Sequence, residues 1–338
     1  MEMSAHPNFD GKSVLVTGAC GTVGAELVRQ LSESGASRIV CLDNNESELF
    51  FLKERYRGNP ALEGYLADIR DAEALRLRMQ GIDIVLHAAA LKHVGLCEDS
   101  PTQAMRTNID GTQNVIDAAL ANDVERVIFT SSDKAVNPTN VMGTSKLMGE
   151  RLMTAASMSN RNRRTIFAST RFGNVLGSRG SVIPLFRQQI EKGGPVTLTD
   201  RRMTRFIMTL EEAAALVLSS VWLARGGEVF VTKMAVARIE DIAIYMVETL
   251  GNGAIEVEEI GAKPGEKMYE ELMNDEEVRR TYEVDEFFIV LPAFVRAPEE
   301  RYPIVRDQQR ADRPYHSAHE PAMKRDALGS YLSEQILR

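Results

Sequence analysis

The sequence predicts an α/β fold with a doubly wound parallel sheet, and two observations carry this prediction. Short apolar runs alternate with amphipathic segments through the first half of the chain, which is typical of successive β-α-β units. A glycine-rich turn directly follows the first apolar run and opens the first amphipathic segment. Such a Rossmann-like sheet binds its ligands beyond the carboxyl ends of its strands, so we expect the functional residues there.

These patterns predict strands and helices in alternation. The strands are apolar runs rich in Val, Ile and Phe, predicted at Ser13–Thr17, Arg38–Asp43, Glu63–Ala67, Ile84–Ala88, Val127–Ser131 and Thr165–Thr170. The amphipathic segments between them predict helices near 22–34, 46–56, 72–79, 101–121 and 142–158. After about Gly173 the rhythm loosens and Gly and Pro punctuate the chain. The second half therefore predicts a smaller α/β lobe over the ligand edge of the sheet.

The composition excludes several classes of protein. A formal net charge of -8 argues against a general nucleic-acid binder, which needs a basic face. Cys20, Cys41 and Cys97 are odd in number and have no metal-ligand spacing, which predicts a reducing compartment and no metal site. The first residues lack the apolar region of a signal peptide, and no apolar run is long enough to span a bilayer. We therefore expect a soluble, cytoplasmic protein.

The turn after the first strand predicts a dinucleotide site. Gly18 permits a tight turn, Gly21 lets the backbone approach a pyrophosphate, and Gly24 lets helix and strand pack closely. The helix that starts at Thr22 and Val23 offers free N–H donors and a partial positive charge to the phosphates. The alternative is an ordinary strand-turn-helix with incidental glycines, which the position of this turn after the first strand disfavours.

Asp43 ends the second strand, at the distance where an acid binds the adenosine ribose hydroxyls. A carboxylate there repels a 2′-phosphate, and no Arg follows immediately, so the pattern favours NAD over NADP. The alternative is that Asp43 caps the next helix together with Asn44 or Asn45.

The next two strands end in further cofactor candidates. Asp68 and Ile69 suit an adenine pocket, as an acceptor for the exocyclic amine and an apolar wall. Ala88 and Ala89 offer a backbone against which a cofactor lies closely, although small residues also serve plain packing.

These features divide the chain into three parts. Residues 1–172 form an NAD-binding Rossmann domain to which some later segments return, and residues 173–297 form mainly a substrate-binding lobe. Residues 298–338 form a C-terminal extension, either wrapped on the body or partly flexible.

Several passages together resemble the extended short-chain dehydrogenase/reductase family, from Gly18 to about Leu272. The passages are His87–Val94, Thr107–Thr112, Ser131–Lys146, Arg171–Ser178, Met203–Phe206 and Lys263–Lys267. Within that family they are most similar to the UDP-N-acetylglucosamine 4,6-dehydratases of bacterial surface-glycan biosynthesis. The resemblance implies a lyase that uses NAD to remove water from a UDP-N-acetylhexosamine, giving a 2-acetamido-2,6-dideoxy-hexos-4-ulose. It also implies that NAD is recycled in place.

One position departs from the general family pattern, which has Tyr four residues before the active-site Lys. Lys146 matches that Lys, but Met142 stands where the Tyr is expected. A thioether does no acid–base chemistry at any pH. The chain is therefore either a relative that binds nucleotides without activity, or an enzyme whose base has moved.

The pair Asp133-Lys134 after the fifth strand favours a moved base, although most such pairs are solvated ion pairs. The resemblance implies Lys134 as the C5 base, Asp133 as the C6 acid, and Ser132 with Asp133 as the groups that deprotonate the C4 hydroxyl. It implies retention of configuration at C5. Burial and nearby positive charge are expected to keep Lys134 neutral. Lys146 is expected to bind the nicotinamide ribose, and Asn108 to order the catalytic helix beside the cofactor.

The resemblance also implies the substrate contacts. Asn174 and Arg205 are expected at the diphosphate, which suits the bidentate guanidinium of Arg. The remaining candidates on the substrate side are Ser181, Lys92, which also lies near the cofactor, His93 and Glu266, with Arg179, Arg187 and Lys267 as helpers.

Two rival functions stay open at this point. A nucleotide-sugar 4-epimerase shares the ketone intermediate but normally needs the Tyr, and an inactive NAD-binding sensor is the other rival.

In the resembled family the helices that carry Asn108 and Lys146 commonly pair across a two-fold axis, so we expect a homodimer or a larger even assembly. No membrane or nucleic-acid partner is expected.

Overall fold

The computed structural model describes residues 7–160, 162, 164–251, 255–261 and 265–336. The strands of this part are β1 (Ser13–Thr17), β2 (Arg38–Asp43), β3 (Leu62–Leu66), β4 (Ile84–His87), β5 (Arg126–Thr130), β6 (Ile166–Arg171), β7 (Asn174–Val175), β8 (Val196–Leu198), β9 (Thr204–Met208), β10 (Val229–Thr232), β11 (Ala235–Arg238), β12 (Val257–Glu259), β13 (Glu271–Met273), β14 (Thr281–Val284), β15 (Phe287–Val290) and β16 (Tyr315–His316).

The helices are α1 (Thr22–Glu33), α2 (Glu46–Arg55), α3 (Ala72–Arg78), α4 (Val94–Asp99), α5 (Pro101–Met105), α6 (Gly111–Ala121), α7 (Val141–Met158), α8 (Val182–Glu191), α9 (Leu210–Leu223), α10 (Ile239–Leu250), α11 (Asp275–Val278), α12 (Pro298–Arg301) and α13 (Arg325–Ile336). None of these helices is both long and apolar enough to cross a membrane.

The main sheet has the order β14-β15-β10-β6-β5-β4-β1-β2-β3. Neighbouring strands from β10 to β3 are parallel, whereas β15 and β14 add an antiparallel hairpin at one edge. Alternate residues face opposite sides: Val14 and Val16 belong to the core against α1 and α9, and Leu15 belongs to the core against α3, α6 and α7. Helices cover both faces, so the predicted doubly wound parallel sheet is confirmed.

The predicted helix near 101–121 is interrupted. It consists of α5, a π-helical turn at Arg106–Asp110, and α6. Asn108 lies in this turn with its side chain buried, and the hydroxyl of Thr112 donates to the carbonyl of Asn108. The side-chain bonds that Asn108 makes outside the helix give the physical reason for the wider turn.

The second half of the chain builds a smaller lobe. One sheet has the order β11-β9-β7 and another pairs β12 with β8, with a core shared by α8, α10 and α13. Parts of the last segment pack against the rest of the protein. Tyr302 is fully buried and donates to the carbonyl of Gly226, while β16 pairs with β13 beside the site.

Candidate active site

A cavity of about 680 Å³ opens at the carboxyl ends of the central parallel strands, where this fold binds ligands. Its volume lies in the range of ligand and cofactor sites, about 300–1,000 Å³. Most of the predicted site residues line it: Gly18, Gly21, Thr22, Val23, Gly24, Asp43, Asp68, Ile69, Ala88, Ala89, Lys92, His93, Ser132, Asp133, Lys134, Met142, Lys146, Asn174 and Ser181. Asn108, Arg205 and Glu266 are not among the lining residues.

The glycine-rich turn is shaped so that only glycine fits at its ends. Gly18 has a φ of +66°, and a Cβ there would lie 2.7 Å from the backbone of Ala89. A Cβ on Gly24 would overlap the carbonyl of Gly18. Gly21 precedes α1 without a side-chain cap, so the first N–H groups of that helix face the cavity uncapped.

Gly18→Ala is expected to weaken both folding and nucleotide binding, because a methyl group there collides with backbone. Gly81→Ala is a matched control, since Gly81 has nearly the same φ, +68°, but nothing lies within 4 Å of its Cβ position. The control carries only the cost of a left-handed backbone, about 1–2 kcal/mol. Thermal unfolding and isothermal titration with NAD compare the two variants. Equal losses in both would contradict the role of the Ala89 contact.

Asp43 fastens this turn to the end of β2. One carboxylate oxygen accepts from the backbone N–H of Cys20 at 2.9 Å, and the other accepts from that of Asn45 at 2.9 Å. The N-cap of α2 is Asn45, whose side chain accepts from Glu48, so Asp43 does not cap the helix. Asp43 instead presents its charge to the cavity wall.

Asp68 is held in the charged state at the same wall. Arg70 pairs with it at 2.5 Å, and hydrogen bonds from Arg70 lower the pKa of Asp68 to about 2. Ile69 beside it is buried. The pair thus supplies an anionic acceptor next to an apolar surface, and an adenine pocket at this place stays a prediction.

Lys146 reaches the cavity from α7. Its ammonium donates to the carbonyl of Thr130 at 2.8 Å and lies 4.7 Å from the ring centre of Phe129. Burial lowers the pKa of Lys146 to about 8, against an opposing effect of Glu150. Met142, one turn earlier on α7, is buried and supplies only apolar surface here.

Asn108 lies behind the cavity and is hydrogen-bonded to α7. Its side chain bonds both the N–H and the carbonyl of Leu91, at 2.8 and 2.9 Å, and donates to the hydroxyl of Ser145 at 2.8 Å. It therefore links the loop after β4 to the helix that carries Lys146. A contact between Asn108 and the cofactor stays a prediction.

Ser132, Asp133 and Lys134 form a compact cluster directly after β5. One oxygen of Asp133 accepts from the Ser132 hydroxyl at 2.6 Å and from the Lys134 ammonium at 3.1 Å. The other oxygen is buried and has no hydrogen-bond partner in the described part of the chain. Asp133 is only 1% exposed, whereas the Lys134 side chain is 25% exposed to the cavity.

The expected positive charge near Lys134 is present in Arg205, but two carboxylates beside the ammonium outweigh it. The Lys134 ammonium lies 3.4 Å from the carboxylate of Glu270 as well as close to Asp133. Burial opposes its charge, but the two carboxylates outweigh burial and the nearby Arg205, and they raise the pKa of Lys134. Lys134 is therefore an ammonium in this structure, and the expected neutral lysine is wrong for this state.

Glu270 is a site residue that no local sequence pattern predicted. It lies just before β13, far from Lys134 along the chain, and no spacing motif connects the two positions. The one sequence feature that could have indicated Glu270 was its position as a charged residue shortly after the Lys263–Lys267 motif. Lys263 and Pro264 of that motif lie outside the described residues.

Arg205 does not line the cavity, contrary to the expectation that it contacts the diphosphate there. Its guanidinium donates to the carbonyls of Thr204 at 2.8 Å and Lys267 at 2.9 Å, and its Nε lies 3.7 Å from Glu270. These backbone acceptors hold the side chain behind the cluster. Glu266 accepts instead from the hydroxyl of Thr199.

The loop before α8 covers one side of the cavity. The ammonium of Lys92 donates to the carbonyl of Arg179, and the guanidinium of Arg179 pairs with Glu48 at 2.7 Å. Asn174 and Ser181 line the cavity beside this loop. The hydroxyl of Ser181 is buried without a hydrogen-bond partner among the described residues, at the uncapped start of α8.

A buried ion network supports the floor of the site. Arg171, at the end of β6, is fully buried and pairs with Glu150 at 2.6 Å and with Glu277 at 2.9 Å. Glu150 also accepts from the hydroxyl of Ser131, which lines the cavity. Arg171 donates to the carbonyl of Leu272 as well, so it connects the sheet to the segment after Glu270.

The strand order and the glycine-rich turn define a protein with a Rossmann-type sheet and a nucleotide-sized cavity at its edge. The chain belongs to the polysaccharide biosynthesis protein family, whose model matches residues 14–292.

The curated relatives cover most of the chain. An uncharacterised membrane protein of Methanocaldococcus jannaschii is 46% identical over 84% of this chain and 87% of its own length. An inverting UDP-N-acetylglucosamine 4,6-dehydratase of Campylobacter jejuni is 36% identical over 86% of both chains. The capsular polysaccharide biosynthesis protein CapD of Staphylococcus aureus is 44% identical over 79% of this chain, which spans only 46% of the length of CapD. These relatives confirm the resemblance predicted from the motifs.

One solved structure and one further relative are also similar to this chain. The X-ray structure of Pen from Bacillus thuringiensis has a TM-score of 0.90 and 40% identity, covering 97% of this chain and 99% of Pen. A UDP-glucose 4-epimerase of Rickettsia rickettsii is 37% identical over 83% of both chains.

Proposed function

We propose that this chain is an NAD-dependent 4,6-dehydratase of a UDP-N-acetylhexosamine, with UDP-N-acetylglucosamine as the first candidate substrate. The observation that carries the proposal is the Asp133–Lys134 pair on the cavity wall, directly after β5, with Asp133 buried. The product would be a 4-keto-6-deoxy sugar nucleotide for bacterial surface-glycan or deoxyamino-sugar biosynthesis. The dehydratase of Campylobacter jejuni among the relatives supports the reaction class.

The residues present fit NAD. The turn at Gly18 and Gly24 leaves room only for backbone, as a bound pyrophosphate requires, and Asp43 offers a carboxylate where the ribose hydroxyls would lie. Lys146 would bind the nicotinamide ribose. When bound, NAD supplies a hydride acceptor for C4 and returns the hydride to C6, with no net change in redox state.

The cluster after β5 supplies the proton transfers. Ser132 and Asp133 would take the proton of the C4 hydroxyl, which leaves Asp133 protonated. Lys134 in its neutral form would remove the C5 proton, which the C4 ketone acidifies. Asp133 would then give its proton to the departing C6 hydroxyl, which leaves as water. The second carboxylate oxygen of Asp133 has no hydrogen-bond partner among the described residues, which supports its role as the atom that would carry this proton.

The diphosphate would lie near Asn174 and Ser181, because the unpartnered hydroxyl of Ser181 and the uncapped start of α8 offer donors there. Arg205 can reach it only if the segment around Lys267 moves, since its guanidinium is engaged with that backbone.

A nucleotide-sugar 4-epimerase is the second candidate, which the Rickettsia relative favours. An epimerase has no use for a C6 acid, so a buried Asp133 beside Lys134 favours dehydration.

A homodimer or larger even assembly is also proposed. Exposed apolar side chains on the helices around Asn108, namely Leu96, Met105 and Met148, support it, and light scattering in solution tests it.

The proposed activity is tested with purified protein and UDP-N-acetylglucosamine, without added NAD, in heavy water. We expect mass spectrometry to show loss of one water and entry of deuterium at C5. A product of unchanged mass with inverted C4 would support the epimerase. No change with any nucleotide hexosamine, even with NAD supplied, would reject both enzymes and leave an inactive NAD-binding protein.

A further inference from the structure

Glu270 belongs to the catalytic cluster although nothing in the proposed function uses it. It is 3% exposed, and one carboxylate oxygen lies 3.4 Å from the Lys134 ammonium and 3.7 Å from Nε of Arg205. The other oxygen is buried and has no hydrogen-bond partner among the residues described. Two hydrogen bonds to Ser317 fix the position of Glu270. The Glu270 N–H donates to the Ser317 hydroxyl, and the Ser317 N–H donates to the Glu270 carbonyl.

The cluster contains two carboxylates, Asp133 and Glu270, and two cationic side chains, Lys134 and Arg205, which lie close together. Asp133 and Glu270 face Lys134, and Arg205 faces both Lys134 and Glu270. Lys134 is an ammonium in this arrangement, yet a C5 base must be neutral. Asp133 cannot store the proton of Lys134, because the proposed function requires it to carry the C4 proton to the C6 hydroxyl. In the part of the chain that the structure describes, Glu270 is the remaining carboxylate within reach of the ammonium, at 3.4 Å.

Resting on the proposed function, we propose that Glu270 is a positioning residue that holds the proton of Lys134 while Lys134 acts as the C5 base. The proton moves from Nζ of Lys134 to the Glu270 carboxylate, which leaves a neutral amine next to a neutral acid. The amine then takes the C5 proton and later returns a proton to C5, after which Glu270 gives its proton back. No oxidant, reductant or further proton donor enters this sequence.

The environment of Glu270 suits this role. Burial raises the pKa of Glu270, the neighbouring charge of Asp133 adds to the rise, and Lys134 and Arg205 oppose it. The ionic pair and the neutral pair contain the same number of protons. The neutral base therefore forms without release of a proton to solvent, and its amount does not depend on pH while the pair shares one proton.

Glu270→Gln separates this role from a structural one. In the wild type we expect kcat for water loss to be nearly independent of pH between about 6 and 7, below the pKa of Lys146 of about 8. In Glu270→Gln the proton of Lys134 must leave to solvent, so kcat is expected to fall about tenfold or more near neutral pH and to rise about tenfold per pH unit. Glu270→Asp is expected to restore a flat profile at a lower rate. A profile of wild-type shape in Glu270→Gln would overturn the proposal.

Glu271→Gln is the matched control. Glu271 is the next residue, is also partly buried, and pairs with Lys267 at 3.2 Å rather than with Lys134. We expect its pH profile to be that of the wild type. A sloping profile in this control as well would show that any change of charge in the segment has the same effect, and would overturn the specific role of Glu270.

A titration without substrate distinguishes failure of this inference from failure of the proposed function. In protein labelled with carbon-13 at the lysine ε-carbon, Lys134→Arg identifies the Lys134 signal. Glu270→Gln is expected to lower the pKa of Lys134 by about one or more, and an unchanged pKa would overturn the inference. If the wild type turns over no nucleotide sugar, the proposed function fails and the proton transfer with it. The titration then still decides whether the two groups are coupled.

Discussion

Lys134→Gln is expected to lower kcat for dehydration by about 10²–10⁴-fold, because the substitution removes the base that takes the C5 proton. Oxidation at C4 does not need Lys134 in the proposed mechanism. The variant is therefore expected to accumulate the absorbance of reduced nicotinamide on addition of substrate, and to incorporate no deuterium from heavy water at C5. Stopped-flow absorbance and mass spectrometry measure the two results.

Lys233→Gln serves as its control. Lys233 pairs with Glu283 at the edge of the sheet and does not line the cavity, so the same substitution there is expected to leave kcat unchanged. Deuterium entering C5 in Lys134→Gln at the wild-type rate would show that another group is the base. Loss of activity without reduced nicotinamide would instead place Lys134 at the oxidation step.

Arg171→Met is expected to destabilise the protein by about 3–5 kcal/mol, because it leaves the carboxylates of Glu150 and Glu277 buried without their partner. The loss is expected to depend on pH. Burial raises the pKa of Glu277, but Arg171, with the backbone of Asn274 and the charge of Arg280, lowers it overall in the wild type. The stability that this pair contributes is therefore present above the ordinary pKa of Glu and is lost as the pH falls. In the variant, protonation at low pH relieves the buried charge.

Urea unfolding followed by circular dichroism at about pH 8 and pH 5 measures this prediction, and the difference from the wild type should be smaller at pH 5. Arg57→Met is the matched control, because the Arg57–Glu54 pair lies on the surface, with Arg57 77% exposed. Such a pair contributes about 0–1 kcal/mol. A loss in Arg171→Met no larger than in the control would contradict a stabilising role for the buried network.

Local sequence patterns determined much of the fold and many of the residues that line the cavity. The bounds of β1 and β2 agree with the predicted strands, since an apolar run flanked by turn residues has few other ways to bury itself. The turn at Gly18 and the pair Asp133-Lys134 were also predictable. Each directly follows a strand, and the carboxyl ends of parallel strands meet at one edge of the sheet.

Only the tertiary structure decided how charge is distributed around that pair. Glu270 reaches Lys134 because β13 and the segment at Ser317 fold back over the site, and no periodic pattern records such a long-range contact. The same folding turns Arg205 toward the backbone of Lys267 and away from the cavity. Local sequence identified Asp133 and Lys134, whereas the charge state of Lys134 depends on which carboxylates the fold buries beside it.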